Sequence, residues 1–466
     1  MSLPFVILTL EKNNMPSLFD DLETKYFLVF YFLCKSRIRN FNESDIKKYQ
    51  NNRVKKITEY AVNHSKFYKE YFSGFDLINF PELPFINKKI MMDNLTDFNT
   101  VGLSKDEILN FCLEVEKTRN FSKRLKGLNI GMSSGTSGNK GVEIVTPREE
   151  NYMKAALFAR FDFPKNEKIN LAFILRVSAP AFNLDKFGHK LTYISQLNSI
   201  DEINKQLEEI YPNVVSASPS MLKLLAAEVE NGRLSINPKR LISYSEILYP
   251  DVKDYLIKVF KCPVHQIYKC TEGPIAISCK YGQLHINEDL VLVETLNNDG
   301  TITSPGQPCQ KLIVTDLHKK SQPIIRYELN DIITISPEKC KCGSCFRVIE
   351  NIQGRADDLF WAKNIKTDEW QYIFPDYISR AIISASEDID EYQAIQSAPD
   401  DVLVRIQLKN GIDRNQFNSR AVMENIYNVF NGYNCKQPEI SIVFEKPEFN
   451  RNSDKLIRIH RNFSIN

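Results

Sequence analysis

Four segments of this sequence combine residue types that handle phosphate, and one cluster combines residue types that handle metal. Ser133–Gly138 reads SSGTSG and runs into Asn139, Lys140 and Gly141. Small hydroxyl residues and glycines let a backbone curl, aim N–H groups inward and set hydroxyls against phosphate oxygens, and Lys140 adds a cation. The alternative use of such a segment is a plain Ser/Gly turn. It is not a Walker A loop, because the GxxxxGK[ST] spacing is absent. Tyr268–Gly273 reads YKCTEG and follows a strand-like stretch, so an aromatic, a hydroxyl and a carboxylate come together at a strand end. The carboxyl edge of a parallel sheet is where α/β folds bind ligands. Leu312–Asp331 and IQGRADD at Ile352–Asp358 add Arg326, Asp331, Arg355 and Asp357.

The second cluster is made of cysteines. Cys340-Lys-Cys342-Gly343 is a tight CxCG turn, Cys345 follows, and Cys279 and His285 precede it in the same β-rich stretch. Thiolates and imidazole suit Zn²⁺, and a tetrahedral site takes four such donors. Burial as apolar residues is the other role of free cysteine. Cysteines so close together beside a polar turn fit that role poorly. Cys270, inside YKCTEG, is open to a second reading as an acyl-accepting nucleophile.

The elements that must position these residues follow a clear rhythm. The first hundred or so residues read mainly as helices. Arg53–Phe72 spaces Val54, Ile57, Ala61 and Phe67 helically, and SKDE at Ser104–Glu107 is a capping box. From residue 129, strand-like stretches (Ile169–Leu175, Val214–Ala217, Leu241–Tyr244, His265–Tyr268) alternate with helical ones (Ser220–Glu230, Asp251–Phe260). That alternation argues for α/β layers with a largely parallel sheet. After Gly282 the strands shorten and turns such as NNDG and SPGQP multiply, which suggests a β-rich lobe. Beyond Gly354, the strands Val402–Leu408 and Glu439–Phe444 and a helix over Arg414–Phe430 make a small α+β domain.

Composition excludes several classes. The 466 residues are 43% hydrophobic and 25% charged, close to globular averages, so wholesale disorder is excluded. A net charge of +2 gives no electrostatic case for nucleic acid or an anionic membrane as main partner. The longest apolar run, YFLVFYFLC at Tyr26–Cys34, is far short of the ~20 residues that span a bilayer. It also lies too far inside the chain for a signal peptide. The expectation is a cytoplasmic protein whose ten cysteines are not a disulfide scaffold.

Taken in order, these segments resemble the adenylate-forming superfamily of acyl-CoA synthetases and adenylation domains. The likeness is to its phenylacetate–CoA ligase-like branch, which includes the capsule-cluster adenylating proteins and the synthetase that adenylates a deazaflavin coenzyme. The resemblance spans nearly the whole chain and includes GQLHINEDLVLVE at Gly282–Glu294. It implies an α/β fold, with a large N-terminal domain of layered α/β subdomains and a β-rich lobe, and a small α+β C-terminal domain on a hinge. The implied boundaries are 1–355, with a zinc-bearing lobe at about 270–355, and 356–466 as a mobile domain. By the same resemblance Ser133, Ser134, Gly135, Thr136, Ser137, Gly138 and Lys140 embrace the ATP phosphates. Tyr268 lies beside adenine, with Glu246 flanking it. Thr271 touches phosphate and Glu272 binds Mg²⁺. Asp331 takes the ribose hydroxyls, Arg355 sits near ribose and phosphate, Asp357 is the hinge and Lys455 in NSDKLIRI is the catalytic lysine. The branch also carries a cysteine before LH and a CxCG pair, so Cys279, His285, Cys340 and Cys342 are the expected ligands of a structural Zn²⁺, with Cys345 in reserve.

The activity this implies is ATP-dependent formation of an acyl-AMP from a small aryl or acyl carboxylic acid, then transfer to a thiol (coenzyme A or a carrier). An amine acceptor would make the chain an amide-forming ligase, and a hydroxyl acceptor taking AMP an adenylyltransferase. A homodimer is compatible with the resemblance. One departure concerns the acceptor. Leu359–Pro375 reads LFWAKNIKTDEWQYIFP, a bulkier hairpin with no glycine where acyl-CoA synthetases carry a glycine-containing loop lining the thiol tunnel. The acid's pocket is expected from Tyr152–Phe161, Ala179–Leu184 and Ser243–Ser245.

Overall fold

In the computed structural model the described residues are 22–118, 120–132, 141–161, 168–175, 189–196, 198–355, 358–373, 375–450 and 455–463. The chain opens on helices Leu22–Asn40, Glu43–His64 and Lys66–Tyr71. The helical stretch expected over Arg53–Phe72 is interrupted at Ser65. That residue is extended, its hydroxyl accepts the Tyr68 N–H at 3.2 Å and donates to the Asp97 carbonyl at 2.8 Å. A serine can cap a new helix as readily as it continues an old one. The capping box opening Lys105–Thr118 is present: the Ser104 N–H donates to Glu107 Oε2 at 2.9 Å and the Glu107 N–H to Ser104 Oγ at 3.2 Å. The apolar run at Tyr26–Cys34 lies in Leu22–Asn40, which packs against the helix Pro147–Arg160. Among the described residues, no helix is long and apolar enough to cross a membrane.

The centre is a nine-stranded sheet. Its parallel half runs Lys190–Ser195, Asn170–Leu175, Val214–Ala217, Arg240–Tyr244, Val264–Cys270. Helices Ile200–Ile210, Pro219–Glu230 and Pro250–Phe260 cover it through Leu207, Leu222, Leu225 and Leu256, all fully buried. At Cys270 the chain reverses: Cys270 pairs with Gly273, so Thr271 and Glu272 form a two-residue hairpin turn. From there the sheet continues antiparallel through Gly273–Ser278, Leu284–Ile286, Val348–Arg355 and Asp331–Ile335. Part of the β-rich lobe expected after Gly282 is therefore the other half of the same sheet. A tight turn can add antiparallel strands where parallel ones need a long crossover. The remaining lobe strands, Val291–Leu296, Lys311–Asp316 and Tyr327–Leu329, form a separate three-stranded sheet.

Residues after 358 have a core of their own. Phe360, Ile378, Tyr392, Val404, Ile426 and Phe430 pack together between the helices Pro375–Ile383 and Ser419–Gly432 and a four-stranded sheet. That sheet orders Glu439–Val443, Asp401–Leu408, Ile389–Ala398, Ile459–Arg461. The helix expected from Arg414 begins at Ser419 because Asn418 caps it, accepting the Ala421 N–H at 3.3 Å.

Candidate functional site

The turn at Thr271–Glu272 stands at the rim of a cavity of about 1280 Å³. Val264–Cys270 carries Tyr268 into it, and the Tyr268 hydroxyl donates to Asp331 Oδ2 at 2.5 Å. Asp331 is itself placed by sheet register at the start of the edge strand, opposite Arg355. Burial, and then the adjacent Asp331 charge, push the Tyr268 phenol well above its ordinary value, so it is a hydrogen-bond donor and not an acid at neutral pH. Thr271 Oγ1 donates to Glu272 Oε2 at 2.8 Å. Glu272 is only 6% exposed. Burial and the facing Glu272 carboxylate raise the Tyr327 phenol. Thus the hydroxyl, the carboxylate and the aromatic of YKCTEG all line one cavity, and Asp331, bonded to Tyr268 from 63 residues away, lines it with them.

Glu246 stands two residues past Arg240–Tyr244, after Ser245, whose φ of 76° is left-handed. Its carboxylate accepts the Ser220 N–H at 3.1 Å and the Ser220 hydroxyl at 2.9 Å at the start of Pro219–Glu230, and it lines the cavity. A carboxylate at a helix N-terminus is held by the exposed N–H groups there. Of the expected acid-pocket residues, Ser243, Tyr244, Ser245, Met153 and Leu157 line the cavity. Tyr152 turns the other way, to His318 and Arg37. Ala179–Leu184 lies outside the described residues.

The phosphate-loop candidates Ser133–Gly138 and Lys140 also lie outside the described residues, as does Asp357. The flanking strands Asn129–Met132 and Val142–Val145 pair antiparallel, with Met132 opposite Val142, and Gly131, Met132 and Glu143 line the cavity. Lys455 lies on the strand Lys455–Leu456, paired to Phe449–Asn450, and Leu456 to Ile459 reach the same cavity. The sheet-edge residues Tyr268, Thr271, Glu272, Asp331 and Glu246 and the backbone of the Lys455 segment thus converge on one cleft.

Two features carry no motif of their own. Lys269, the second residue of YKCTEG, pairs with Glu143 at 2.9 Å, and Lys319 lies 3.9 Å from the same carboxylate and 3.4 Å from the Thr271 carbonyl. Burial alone raises the Glu143 carboxyl, but the two ammonium groups outweigh it and hold it below its ordinary value. Only long-range register brings residues 143, 269 and 319 together. Conversely, Arg326 turns away from Asp331's cleft. With φ of 47° it donates to the carbonyls of Pro81 and Leu83 and pairs with Glu294 at 3.2 Å, pinning the N-terminal segment. Cys270 donates its thiol to the Gly273 carbonyl at 3.5 Å. Burial and the nearby Glu272 and Asp331 charges raise that thiol well above its ordinary value, which argues against a nucleophile there.

At the other end of the antiparallel half, Cys279, His285, Cys340 and Cys342 place one donor atom each within 4.8 Å of all the others. Cys279 Sγ is 3.7 Å from Cys340 Sγ, and Cys342 Sγ is 3.4 Å from His285 Nε2. A tetrahedral Zn²⁺ with ~2.3 Å bonds to sulfur and ~2.0 Å to nitrogen sets such atoms roughly 3.8 and 3.5 Å apart. His285 Nδ1 faces the Phe346 carbonyl at 2.8 Å, which fixes the ring and leaves Nε2 facing the sulfurs. The donor set therefore fits zinc. Cys345 stands outside this four-residue group.

A half-parallel, half-antiparallel sheet with a cleft beside its switch point and a separately cored α+β C-terminal unit make a fold that this chain shares with solved structures of CoA ligases. The solved structure of 2-hydroxyisobutyryl-CoA ligase in the postadenylation state matches with a TM-score of 0.69 and 15% identity over 91% of each chain. The o-succinylbenzoate-CoA synthetase of Bacillus subtilis, in complex with its acyl-adenylate intermediate, matches with a TM-score of 0.50 and 14% identity over 71% of this chain and 67% of that one. In sequence, the chain is similar to Protein CapK of Staphylococcus aureus, 24% identical over 440 residues, covering 86% of this chain and 89% of CapK. It is also similar to the phenylacetate-coenzyme A ligase of Thermus thermophilus, 24% identical over 200 residues, or 41% and 43% of the two chains. No family model matches. These relatives bear out the superfamily and the phenylacetate–CoA ligase-like branch that the motifs indicate.

Proposed function

We propose that the chain is an ATP-dependent ligase that activates a small aryl or acyl carboxylic acid as acyl-AMP and passes the acyl group to a thiol, coenzyme A or a carrier. The observation that carries this reading is the convergence of Tyr268–Asp331, Thr271–Glu272 and the Lys455 segment on one cleft. The matched structures support it, since 2-hydroxyisobutyryl-CoA ligase was solved with its acyl-AMP and with coenzyme A.

In this reading Tyr268 lies beside adenine with Glu246, and Asp331 accepts hydrogen bonds from the ribose hydroxyls, with Arg355 near ribose and phosphate. Ser133–Gly138 and Lys140 embrace the phosphates. A carboxylate oxygen of the acid attacks the α-phosphorus, a P–O bond forms, the bond to the bridging oxygen breaks and pyrophosphate leaves. Both reactants are anions, so charge builds where they meet. In this reading the Lys455 ammonium offsets it, and Thr271 holds a phosphate oxygen. Glu272 would hold Mg²⁺, which when bound neutralises phosphate charge. Residues 1–355 and 356–466 act as two domains turning about Asp357. In the second step the acceptor thiolate attacks the acyl carbon and AMP leaves. Cys279, His285, Cys340 and Cys342 would hold a structural Zn²⁺, because protein donors fill all four positions.

ATP–pyrophosphate exchange over a panel of aryl and fatty acids tests the reading. Exchange that appears only with a carboxylic acid is the expected result. Failure of every acid, with AMP appearing instead on a hydroxyl acceptor, would overturn it.

A further inference from the structure

Arg458 lies three residues after Lys455 and is only 4% exposed. Its guanidinium is sandwiched between two tyrosine rings, 4.7 Å from the centre of Tyr249 and 4.8 Å from that of Tyr392. Its Nε is 2.7 Å from Glu391 Oε1, and its Nη1 is 3.5 Å from Asp251 Oδ2. Two of these partners, Tyr249 and Asp251, begin the helix Pro250–Phe260 on the large unit. The other two, Glu391 and Tyr392, belong to Ile389–Ala398 in the small unit. Beside them Lys223, from the large unit's helix Pro219–Glu230, pairs with Glu391 at 3.2 Å and with Asp390 at 3.3 Å.

A buried guanidinium gains from stacking on aromatic faces and from paired carboxylates, because its charge must be matched once water is excluded. Here half of that matching comes from each unit. The small-unit half lies within one unit: the Ala394 N–H donates to the Arg458 carbonyl at 2.7 Å, and Gln393 Nε2 donates to the carbonyls of Glu448 and Ile457, closing the base of the hairpin that carries Lys455. The large-unit half exists only while the two units face each other as here.

We infer that Arg458 is a positioning residue that clamps the Lys455 hairpin over the nucleotide cleft. It does so through Tyr249 and Asp251 of the large unit, and it must release them whenever the small unit turns. The inference rests on the proposed ligase reading for its purpose, but its test does not need the substrate. Lys223 and the Asp390/Glu391 carboxylates are close enough for a carbodiimide to join them as an amide, so the yield of that cross-linked peptide, read by mass spectrometry on the full chain, reports the closed arrangement. The Lys436–Asp368 pair, 3.0 Å apart within the small unit, is the internal control.

Arg458→Met keeps the stem but loses the charge. It should lower the Lys223 cross-link about tenfold, the scale of a lost ion pair plus cation–π contact, and leave the control unchanged. Asp251→Asn, which touches no small-unit core, should lower it in the same direction, and Arg458→Lys should restore part of the yield. Equal loss of both cross-links would mean that Arg458 only supports the small unit's fold. An unchanged Lys223 cross-link in both Arg458→Met and Asp251→Asn would overturn the clamp. Lys455→Ala should keep the cross-link while losing acid-dependent exchange. Retained exchange in that variant would remove the catalytic reading of Lys455, while the cross-link yields would still decide whether Arg458 clamps the two units.

Discussion

Replacing Cys342 by serine removes one of four donors from the proposed zinc site, and its consequence can be sized. The four donor atoms already stand within 4.8 Å of one another, with a 3.7 Å sulfur pair and a 3.4 Å sulfur–nitrogen pair. Little reorganisation is then needed on binding. Structural Zn²⁺ sites bind with on the order of 10–16 kcal/mol near neutral pH. Sharing that over four donors gives about 3 kcal/mol each, so Cys342→Ser should weaken Zn²⁺ at least ~100-fold. The effect reaches beyond the metal. His285 lies on the strand paired to Val348, and the same Val348–Arg355 strand sets the register of Asp331 at its far end. Elemental analysis should find about one Zn per wild-type chain, since a four-donor site takes one ion. Cys342→Ser or Cys340→Ser should lose it, lower the unfolding temperature and raise the KM for ATP. Cys345→Ser should keep the metal. A native protein free of zinc that stays folded and active in chelator would refute the reasoning, as would equal metal loss in Cys345→Ser.

Three further outcomes follow from the same geometry. Lys455→Ala should lower acid-dependent ATP–pyrophosphate exchange by orders of magnitude while ATP binding, followed by calorimetry, stays near normal; near-normal exchange would end the assignment. Glu272→Gln removes one charge at constant shape and should raise the Mg²⁺ concentration needed for half-maximal exchange, so an unchanged Mg²⁺ profile would mean that Glu272 is no ligand. Asp316 is buried, and desolvation pushes its carboxyl up from 3.8 to about 6 despite the His318 and Lys319 N–H groups it accepts. A raised folded-state value means that its stabilising contribution is complete below about pH 3.8 and is lost as pH rises through about 6. The loss is on the order of 3 kcal/mol, so in urea unfolding Asp316→Asn should flatten the change in stability between those two pH values, and an unaltered slope would show that Asp316 does not set it.

Much of the fold could be read from the residues because local signals and long-range packing agree. Four of the five parallel strands and two of the three helices that cover them fall within a residue or two of the expected spans: Val214–Ala217 is matched, and Ser220–Glu230 begins at Pro219, whereas Lys190–Ser195 and Ile200–Ile210 have no counterpart among those spans. YKCTEG was legible for a different reason. Its Cys270–Gly273 pairing makes a two-residue turn, so the sequence order of hydroxyl and carboxylate is also their spatial order at the cleft. The Tyr268–Asp331 bond depends on register across 63 residues, and only the family resemblance points to it from sequence. Ser65 and Asn418 reset helices that apolar spacing alone would have continued. The Lys269–Glu143–Lys319 group and the Arg458 clamp have no local signal, since their partners come from separate sheets and units.

The cleft and its surroundings also divide by core. Tyr268, Thr271, Glu272, Glu246 and Asp331 all sit on one continuous sheet or its loops. The hairpin Phe360–Lys363 with Trp370–Ile373 belongs to the small unit's core instead. Gln396 ties it down: the Trp361 N–H donates to Gln396 Oε1 at 2.8 Å, and Gln396 Nε2 donates to the Trp361 carbonyl at 2.7 Å. The Lys436 N–H donates to the Lys363 carbonyl at 2.8 Å and extends the same support. A hairpin bonded this way is part of the small unit's fold rather than a free loop. Trp370 at its edge is 38% exposed and carries the Lys363 ammonium 4.7 Å above its ring. The hairpin thus presents an indole and a cation on a ribbon bonded into the small unit. In the ligase reading proposed above, substitutions in that ribbon are expected to change acceptor use while acid-dependent ATP–pyrophosphate exchange stays unchanged, because Tyr268, Thr271, Glu272, Glu246 and Asp331, assigned to ATP, lie outside the small unit's core.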